Sequence, residues 1–501
     1  MPQAEMSEHP VTSAGSLFGR KGMGELQKEA DGSHLNRTLG PWSLIALGIG
    51  AIIGAGLFSL TGIVAADNAG PAVVISFIIA SIGCAFAGMC YSELASMIPV
   101  AGSAYTYAYA TLGELVGWTV GWTLVLEYAV GAGTVSVSWS RYVTALLRDF
   151  GITLPAQWTL SPFEKATLAD GTTVHGIVNL PAIFIIVIVS ALLIRGIQES
   201  ARVNAVIVVI KVAVVLAVVG AGVFYIKSQN YVPFIPENTG EFGHFGWSGI
   251  LRGAGVIFFA YIGFDAVSTA AQETKDPQRN MPIGILGSLL ICTVLYIAFG
   301  FVLTGLVNYK DLQNDAHPVV TAINQTPFTW LRTATTLGVI CGFTTVILVM
   351  LLGQSRVFYS MSRDGLLPKV FSVLHPSWKT PWLSNLIFMA GAGLLGGLVP
   401  IHILGHMTSI GTLLAFIIVC AGVLVLRKTH PEFKRTYRVP FVPYVPVAGI
   451  LVCLAMMVSL DIYTWIRLVG WLLVGMLIFF SFSRSHSKVA RRAAIRAAAE
   501  S

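Results

Sequence analysis

Long apolar runs separated by short polar segments dominate the sequence, and each run is long enough to cross a lipid bilayer as a helix. A transmembrane helix needs about 20 mainly apolar residues. On this basis we predict twelve spans, numbered here in chain order. They cover residues 41–65, 70–97, 113–146, 177–195, 203–226, 250–270, 282–306, 331–358, 382–401, 405–427, 443–461 and 465–483. Span 3 is longer than a bilayer requires, so we expect it to tilt or protrude. The pattern predicts an all-α polytopic membrane protein.

The composition excludes a soluble globular protein. Among the 501 residues, 55% are hydrophobic and only 11% are charged, and the mean hydropathy is +0.75. Soluble domains carry about 25% charged residues. The first 40 residues are polar and lack the apolar core of a cleavable signal peptide, so we expect the spans themselves to direct insertion. The cysteines all lie in apolar segments without CxxC spacing, which favours packing over metal or disulfide use. They are Cys84, Cys90, Cys292, Cys341, Cys420 and Cys453.

The distribution of basic residues predicts the orientation. An even number of spans places both termini on one side of the membrane. If that side is the cytoplasm, most of the 31 Lys and Arg residues fall in the N-tail (1–40), the inner loops and the C-tail (485–501). Cytoplasmic segments of membrane proteins carry such an excess. The same distribution accounts for the net charge of +7, so the sequence gives no reason to expect nucleic-acid binding.

Lys211 lies in the middle of a span, within the apolar stretch 204–226. A charged side chain at bilayer depth costs about 2.5–3.5 kcal/mol on insertion scales, and such residues usually mark functional sites. Lys211 lies nine residues after Arg202, which is about 13 Å along a helix. Burial at that depth disfavours the ammonium form. Two interpretations stay open: a group that takes up and releases a coupling proton, or a permanently charged lysine bonded to backbone carbonyls.

Glycines crowd the centre of span 1. Each glycine weakens a helix interior by about 1 kcal/mol relative to alanine, so four together favour an unwound segment. The alternative is close helix packing, because Gly50 and Gly54 form a GxxxG pair. The four glycines are Gly48, Gly50, Gly54 and Gly56.

Span 6 carries a second interruption, where Gly263 and the acidic Asp265 lie at mid-depth. Interrupted helices at corresponding positions of two halves point to a binding site in transporters. Spans 1 and 6 are five spans apart. Because five is odd, a second five-span unit that begins at span 6 starts from the opposite side of the membrane. The sequence therefore predicts an inverted repeat with a site between its broken helices.

The chemistry of a broken helix suggests the kind of ligand. The break leaves N–H groups at the positive start of one half-helix and carbonyls at the negative end of the other. The amides after Gly54 would bind a carboxylate, and carbonyls before the break and in span 6 would bind an amino group. A zwitterionic α-amino acid satisfies both.

Several separated motifs resemble the cationic amino acid transporter family of the amino acid–polyamine–organocation superfamily. They are GAGLF in span 1, LEYAVGAGTVSVSWSRY in span 3, IKVAVV in span 5, FFAYIGFD in span 6, the loop ETKDPQRNMPIGI and the segment GQSRVFYSMSRDGLLP. The resemblance covers residues 37–480. It implies a ten-helix inverted-repeat core (41–427) with discontinuous helices 1 and 6, followed by two extra helices (428–484).

The resemblance also implies roles for residues at the two breaks. The substrate carboxylate would meet the amides of Ala55 and Gly56, beside Ile53 and Gly54. Ala55 replaces a serine found in some relatives, which removes one possible hydroxyl contact.

The substrate amino group would meet the carbonyls of Ile52, Phe259 and Ile262, next to Ala260. Phe259 takes the position of an aromatic gate. Lys211 matches a span-5 lysine that is thought to replace the sodium ion of sodium-coupled relatives.

The remaining polar residues inside spans allow two interpretations each. Glu127 in span 3 would attract a cationic substrate side chain or anchor a helix. Asp265 would pair or cap near the span-6 break rather than touch substrate, and Glu93 would form a gate or loop contact. Thr344 and Thr345 in span 8 would place hydroxyls by Lys211 or bond their own helix.

We therefore expect a transporter in the cell membrane that couples uptake of L-amino acids, cationic or small neutral such as alanine, to protons. The alternative is an amino acid or polyamine exchanger without net proton uptake. An enzyme is disfavoured, and His402 and His406 lack a third ligand for a metal. The expected partners are the amino acid, the proton and the lipid bilayer, without cofactor or nucleic acid; an accessory membrane protein is left open.

Overall fold

The structure is a computed structural model that describes most of the chain. The described residues are 19–22, 38–98, 100, 103–167, 172–196, 201–313, 315, 317–433 and 435–489. Most of the predicted N-tail (1–40) and of the predicted C-tail (485–501) lies outside these ranges.

Helices make up nearly all of the described chain. The first half contains α1 (Pro41–Ile52), α2 (Thr61–Val64), α3 (Val73–Met97), α4 (Ser103–Leu112), α5 (Glu114–Val125), α6 (Gly131–Asp149), α7 (Leu180–Ile194), α8 (Ala201–Gly222) and α9 (Gly246–Ile257). The second half contains α10 (Pro277–Leu306), α11 (Pro318–Ile323), α12 (Thr329–Arg363), α13 (Trp382–Leu398), α14 (Ile401–Thr429), α15 (Tyr444–Ser459), α16 (Ile462–Ile478) and α17 (Arg484–His486).

The apolar helices agree in position with the predicted spans. Eight helical segments of the described chain are long and apolar enough to cross a membrane, and four shorter apolar helices accompany them. Together they overlap every predicted span. One of the eight, 56–97, combines the second half of span 1 with span 2. The chain is a helical polytopic membrane protein, while the number of crossings and the repeat stay predictions.

Two elements of the fold were not predicted. The loop between α6 and α7 contains a short antiparallel pair, β1 (Lys165–Thr167) with β2 (Thr173–His175), so the all-α description was wrong in this detail. The segment between spans 2 and 3 forms the buried helix α4 instead of a simple loop. Gly113, at φ 103°, turns the chain from α4 into α5, and the stretch from Glu114 to Asp149 then runs as one long helix.

Both predicted helix interruptions are present. α1 ends at Ile52 because Ile53 is extended (φ −72°, ψ 105°), and helical structure resumes as a π-helical turn at Gly56–Leu60. α9 ends at Ile257 and passes through a 3-10 turn, Phe258–Tyr261, to an extended Ile262. Gly263 has a φ of +120°, a backbone conformation that residues with a side chain rarely adopt. A 3-10 helix follows at Asp265–Glu273.

The span-1 glycines serve close packing as well as the break. α1 packs against α8 and α10, and α12 packs against α6 and α8. A Cβ added at Gly50 would lie 3.0 Å from atoms of both Asn204 and Val208 on α8, and one at Gly54 would lie 3.2 Å from Val346 on α12. The two interpretations of these glycines therefore both hold.

Candidate functional site

The breaks in the first and sixth spans touch each other directly. A Cβ added at Gly56 would lie only 2.2 Å from Cα of Ala260, and one at Gly263 only 2.8 Å from the backbone carbonyl carbon of Ala51. Backbone therefore packs against backbone at two points across the site. The helix ends at the two interruptions therefore lie against each other.

The restarted half of span 1 supplies hydrogen-bond donors. The first N–H groups of a helix have no partner within that helix, and Ala55 and Gly56 stand at this start. The N–H groups of Leu57 and Phe58 both donate to the carbonyl of Gly54, at 3.2 Å each. The amides of Ala55 and Gly56 thus lie at the positive end of a half-helix, which suits an anionic group.

A tyrosine joins the acceptor groups of the two breaks. The hydroxyl of Tyr296 on α10 lies 2.9 Å from the carbonyl oxygen of Ile52 and 2.9 Å from that of Ala260. One hydroxyl proton serves only one acceptor at a time, so the second carbonyl keeps capacity for another donor. Sequence analysis missed Tyr296. The available signal was a hydroxyl deep within an apolar span, which must find a buried partner.

The residues of the breaks are shut off from solvent. Ile53 and Ala55 are fully buried, and Phe259, Ala260 and Ile262 are at most 3% exposed. The carbonyl of Phe259 accepts from the N–H of Ile262 at 3.2 Å, within its own turn. The structure thus brings together the residues assigned to substrate in spans 1 and 6; their roles, including that of Phe259 as a gate, stay predictions.

Lys211 is fully buried and bonds the broken first span. Its ammonium donates to the carbonyl of Gly50 at 2.6 Å. That carbonyl lies in the last turn of α1, where the helix dipole is negative and stabilises a cation. The side chain packs along Gly342 of α12, where an added Cβ would lie 3.0 Å from its Cε. Lys211 therefore connects α8, α1 and α12 just beside the break.

The two threonines of span 8 bond their own helix. Thr344 donates to the carbonyl of Ile340 at 2.9 Å and accepts from the indole N–H of Trp139 at 3.1 Å. Thr345 donates to the carbonyl of Gly342 at 2.9 Å. Both hydroxyls therefore bond the backbone of their own helix, while Gly342 itself contacts Lys211; the role of the two threonines stays a prediction.

Aromatic side chains close the site on the face opposite to the start of α1. The hydroxyl of Tyr142 donates to the carbonyl of Phe58 at 2.8 Å. The ring of Phe343 packs against both, with centroid distances of 5.5 Å to Tyr142 and 6.1 Å to Phe58. These three residues were not predicted, because nothing in the spacing of spans 1, 3 and 8 shows that they meet.

Polar contacts close the face where α1 begins, which we call the amino-terminal face. The N–H groups of Thr38 and Leu39 donate to the carbonyl of Glu273 at 2.9 and 3.0 Å, and Arg356 pairs with the Glu273 carboxylate at 3.4 Å. Asp364 accepts from Tyr105 at 2.7 Å. The start of span 1 and the end of span 6 are therefore tied together here.

The acidic residues of the spans lie in two different environments: one is paired with arginines, and the other two lie beside each other. Glu93 is buried and forms a loop contact: it pairs with Arg427 at 2.6 Å and with Arg435 at 3.3 Å, and accepts from the N–H of Val439 at 2.7 Å. Glu127 and Asp265 lie together, fully buried, between span 3 and the second half of span 6. Asp265 accepts a hydrogen bond from the hydroxyl of Tyr128; its role near the break stays a prediction.

His402 and His406 lie at the start of α14. His406 bonds Asp461, the residue before α16, with 3.0 Å between Nδ1 and Oδ2. This hydrogen bond links the two C-terminal helices to the core. The hydrogen bond between Asp461 and His406 is the main reason why the pKa of Asp461 lies well below its usual range.

Comparison with known proteins agrees with this architecture. The sequence profile of a family described as amino acid permease matches residues 39–483. The chain is 44% identical over 476 residues to the methylthioribose transporter of Bacillus subtilis, which covers 94% of this chain and 99% of the relative. It is 42% identical over 477 residues to the branched-chain amino acid permease BcaP of the same organism, covering 95% and 99%. It is 40% identical over 413 residues to the chloroplastic cationic amino acid transporter 9 of Arabidopsis thaliana, covering 82% and 70%. The chain therefore belongs to the amino acid permease family of membrane transporters.

Proposed function

We propose that this protein takes up L-amino acids by alternating access and couples their movement to protons. One observation carries the proposal: the breaks of spans 1 and 6 meet at Gly56 and Ala260, and a buried ammonium, Lys211, bonds the same broken helix. The donors at the start of a half-helix, the backbone carbonyls of both breaks and an ionisable group thus lie close together in the buried interior. The site contains the groups that a zwitterion and a proton require.

Recognition of the substrate would use backbone groups. The carboxylate would accept from the amides of Ala55 and Gly56, where the half-helix dipole favours negative charge. The amino group would donate to the carbonyls of Ile52, Phe259 and Ile262. Because Tyr296 shares one hydroxyl proton between Ile52 and Ala260, a substrate ammonium would fill the remaining acceptor capacity.

Lys211 would carry the coupling proton. The Gly50 carbonyl stabilises the ammonium form in the closed state, whereas burial in an apolar span favours the neutral amine. Movement of the first half of span 1 would break the bond to Gly50. Burial would then favour the neutral amine without the opposing effect of the carbonyl. An exchanger without net proton uptake remains the alternative mechanism.

The proposal includes the membrane topology. Twelve spans, with five-helix repeats of opposite orientation in 41–427 and two extra helices in 428–484, would place both termini in the cytoplasm. The excess of Lys and Arg in the tails and inner loops supports that orientation. The amino-terminal face would then be the cytoplasmic face of the plasma membrane.

The relatives suggest which substrates to test. BcaP is named for branched-chain amino acids and the plant relatives for cationic ones; small neutral amino acids such as alanine complete this panel. A second candidate substrate is methylthioribose, because the relative named for it is 44% identical over nearly the whole chain. That sugar has neither an amino group nor a carboxylate, so it would have to bond the same backbone groups through hydroxyls.

Uptake into proteoliposomes tests the proposal. The purified protein is reconstituted and supplied with labelled alanine, leucine, arginine or methylthioribose, with and without an inward proton gradient and with sodium or potassium outside. We expect concentrative uptake of at least one amino acid that requires the proton gradient and not sodium. Uptake driven by sodium with the proton gradient collapsed would refute the coupling, and uptake of methylthioribose alone would refute the substrate class.

A further inference from the structure

A second ionisable site lies below the two breaks, towards the amino-terminal face. It consists of Glu127, on the π-helical turn Leu126–Val130 of span 3, and Asp265, at the start of the 3-10 helix Asp265–Glu273. Both carboxyl groups are fully buried. The proposed function does not use either of them, although burying an unpaired charge is among the most expensive arrangements in a protein.

The two residues have very different hydrogen-bond donors. Oδ2 of Asp265 accepts from the hydroxyl of Tyr128 and lies 3.5 Å from the hydroxyl of Ser103. Among the described residues, no group donates to either oxygen of Glu127 or to Oδ1 of Asp265. Neither acid forms an ion pair with a described lysine or arginine, in contrast to Glu93 with its two arginines.

Tyr128, the residue after Glu127, bonds Asp265, which places the two acids side by side, and each carboxyl group acts on the other. Two carboxylates only accept hydrogen bonds, so they attract one another only when one of them holds a proton. Two acids that share a site in this way do not both ionise, because the second charge would face the first in a medium of low dielectric constant. The geometry therefore requires one proton for the pair.

The hydrogen-bond donors indicate which acid holds the proton. Asp265 has two hydroxyl groups near its Oδ2, those of Tyr128 and Ser103, which are the donors that an ionised carboxylate needs. Glu127 is fully buried and has no donor among the described residues. Because a buried charge without a partner is so costly, Glu127 is the acid that holds the proton.

We propose that Glu127 and Asp265 form a second proton-binding site, with the proton on Glu127 donated to Asp265. The bonded pair joins span 3 to the second half of span 6 while the amino-terminal face is closed. When the segment Asp265–Glu273 moves away to open that face, Glu127 loses its acceptor and releases the proton to water, which leaves two separated carboxylates. That the site holds a proton does not depend on the proposed function. That the proton is released during transport rests on the proposed function.

Among the described residues, the other titratable side chains that face the pair are phenols. Tyrosines supply the remaining titratable neighbours: Tyr91 from α3, Tyr107 from α4 and Tyr128 from span 3 itself. A phenol ordinarily titrates near pH 10. A proton taken up or released by this cluster during the proposed transport cycle would therefore belong to the carboxyl pair.

Infrared spectroscopy of the purified full-length protein tests occupation of the site without any transport assay. We expect the wild-type protein at neutral pH to show the C=O stretching band of a protonated carboxylic acid, and Glu127→Gln to lose a component of it. Glu93→Gln is the matched control: Glu93 is also buried, but it is paired with arginines, so its replacement should leave the band intact. Absence of the band in the wild type, or its persistence in Glu127→Gln, would overturn the proposal.

Exchange of labelled for unlabelled amino acid, measured across pH without an imposed gradient, tests release. Glu127→Gln can still donate to Asp265 through its amide but has no proton to release, so it should keep the fold. We expect its pH profile to be flat where that of the wild type changes. A profile identical to that of the wild type would show that the proton is never released. Lys211→Ala should keep the infrared band even if it abolishes accumulation, so failure of the proposed coupling and failure of this second site give different results.

Discussion

The ammonium of Lys211 on α8 donates to the carbonyl of Gly50 at 2.6 Å, two residues before α1 ends at Ile52. The bond joins the only lysine placed within a predicted span to the free end of the broken first helix. That end has carbonyls without intrahelical partners, and the Lys211 ammonium satisfies one of them.

Replacement of Lys211 should separate substrate binding from accumulation. Lys211→Ala removes the proposed proton carrier, and Lys211→Arg keeps a positive charge, because arginine does not lose its proton in proteins. We expect both variants to bind substrate but to lose proton-driven accumulation. Uptake against a gradient is measured at matched expression, with substrate binding measured separately in detergent. If Lys211→Arg accumulated substrate as well as the wild type, the lysine would be a structural charge.

Any side chain at Gly56 should weaken substrate binding. The added Cβ of Gly56→Ala would lie 2.2 Å from Cα of Ala260, so the two breaks would have to separate. We expect at least a tenfold loss of affinity, which corresponds to about 1.4 kcal/mol. Gly220→Ala in α8 is the matched control, because nothing lies within 4 Å of its added Cβ. Unchanged affinity in Gly56→Ala, or an equal loss in both variants, would contradict the site.

The substrate should be recognised through its α-amino and α-carboxyl groups together. A methyl ester lacks the charge that the amides of Ala55 and Gly56 would bind, and a decarboxylated amine lacks the group itself. We expect both analogues of a good substrate to fail as competitors of labelled uptake. Equal competition by the amine would indicate a polyamine carrier, and competition by methylthioribose would favour the sugar as substrate.

Tyr296→Phe should loosen the contact between the two breaks. Without the hydroxyl, the carbonyls of Ile52 and Ala260 lose a buried donor, while the aromatic packing of the ring against Tyr261 and Phe77 is kept. Leaving a buried polar group without a partner costs about 1–3 kcal/mol. We expect lower thermal stability that bound substrate partly restores, since the substrate ammonium would donate to the same carbonyls. A loss that substrate does not reduce would place Tyr296 outside the site.

The link between Asp461 and His406 should stabilise the two C-terminal helices in a pH-dependent way. Asp461 also caps α16 by accepting from the N–H of Thr464 at 2.9 Å. Because folding lowers the pKa of Asp461, its charge stabilises the protein above the unfolded pKa of about 3.9, and this contribution is lost as the pH falls below that value.

Two variants separate the charge of Asp461 from its capping role. Asp461→Asn keeps a capping oxygen, whereas Asp461→Ala also removes the cap, which is worth about 1 kcal/mol. Thermal unfolding in detergent should show both variants less stable than the wild type at neutral pH, Ala more than Asn. The difference between wild type and Asp461→Asn should shrink in acid. A difference that grew as the pH fell would contradict the sign of the pKa shift.

The sequence by itself determined the features that depend on local composition. Apolar runs of membrane length located the helices, because only backbone bonded within its own segment is stable in lipid. Crowded glycines in span 1 and Gly263 beside Asp265 in span 6 located both breaks, since each weakens a helix without reference to any other part of the chain. Lys211 stood out for the same reason: one charge in an apolar run is visible without a structure.

Only the tertiary structure decided which of these groups meet. Tyr296 joins Ile52 to Ala260 across 244 and 36 residues of sequence, and Asp265 lies beside Tyr128 at a separation of 137. Contacts at such separations follow from how helices cross and rotate against one another, and in apolar spans nearly every face looks alike in sequence. The hydrophobic pattern therefore predicted the helices and their breaks, whereas the direction of each polar side chain was set by the partner that packing brought within hydrogen-bonding distance.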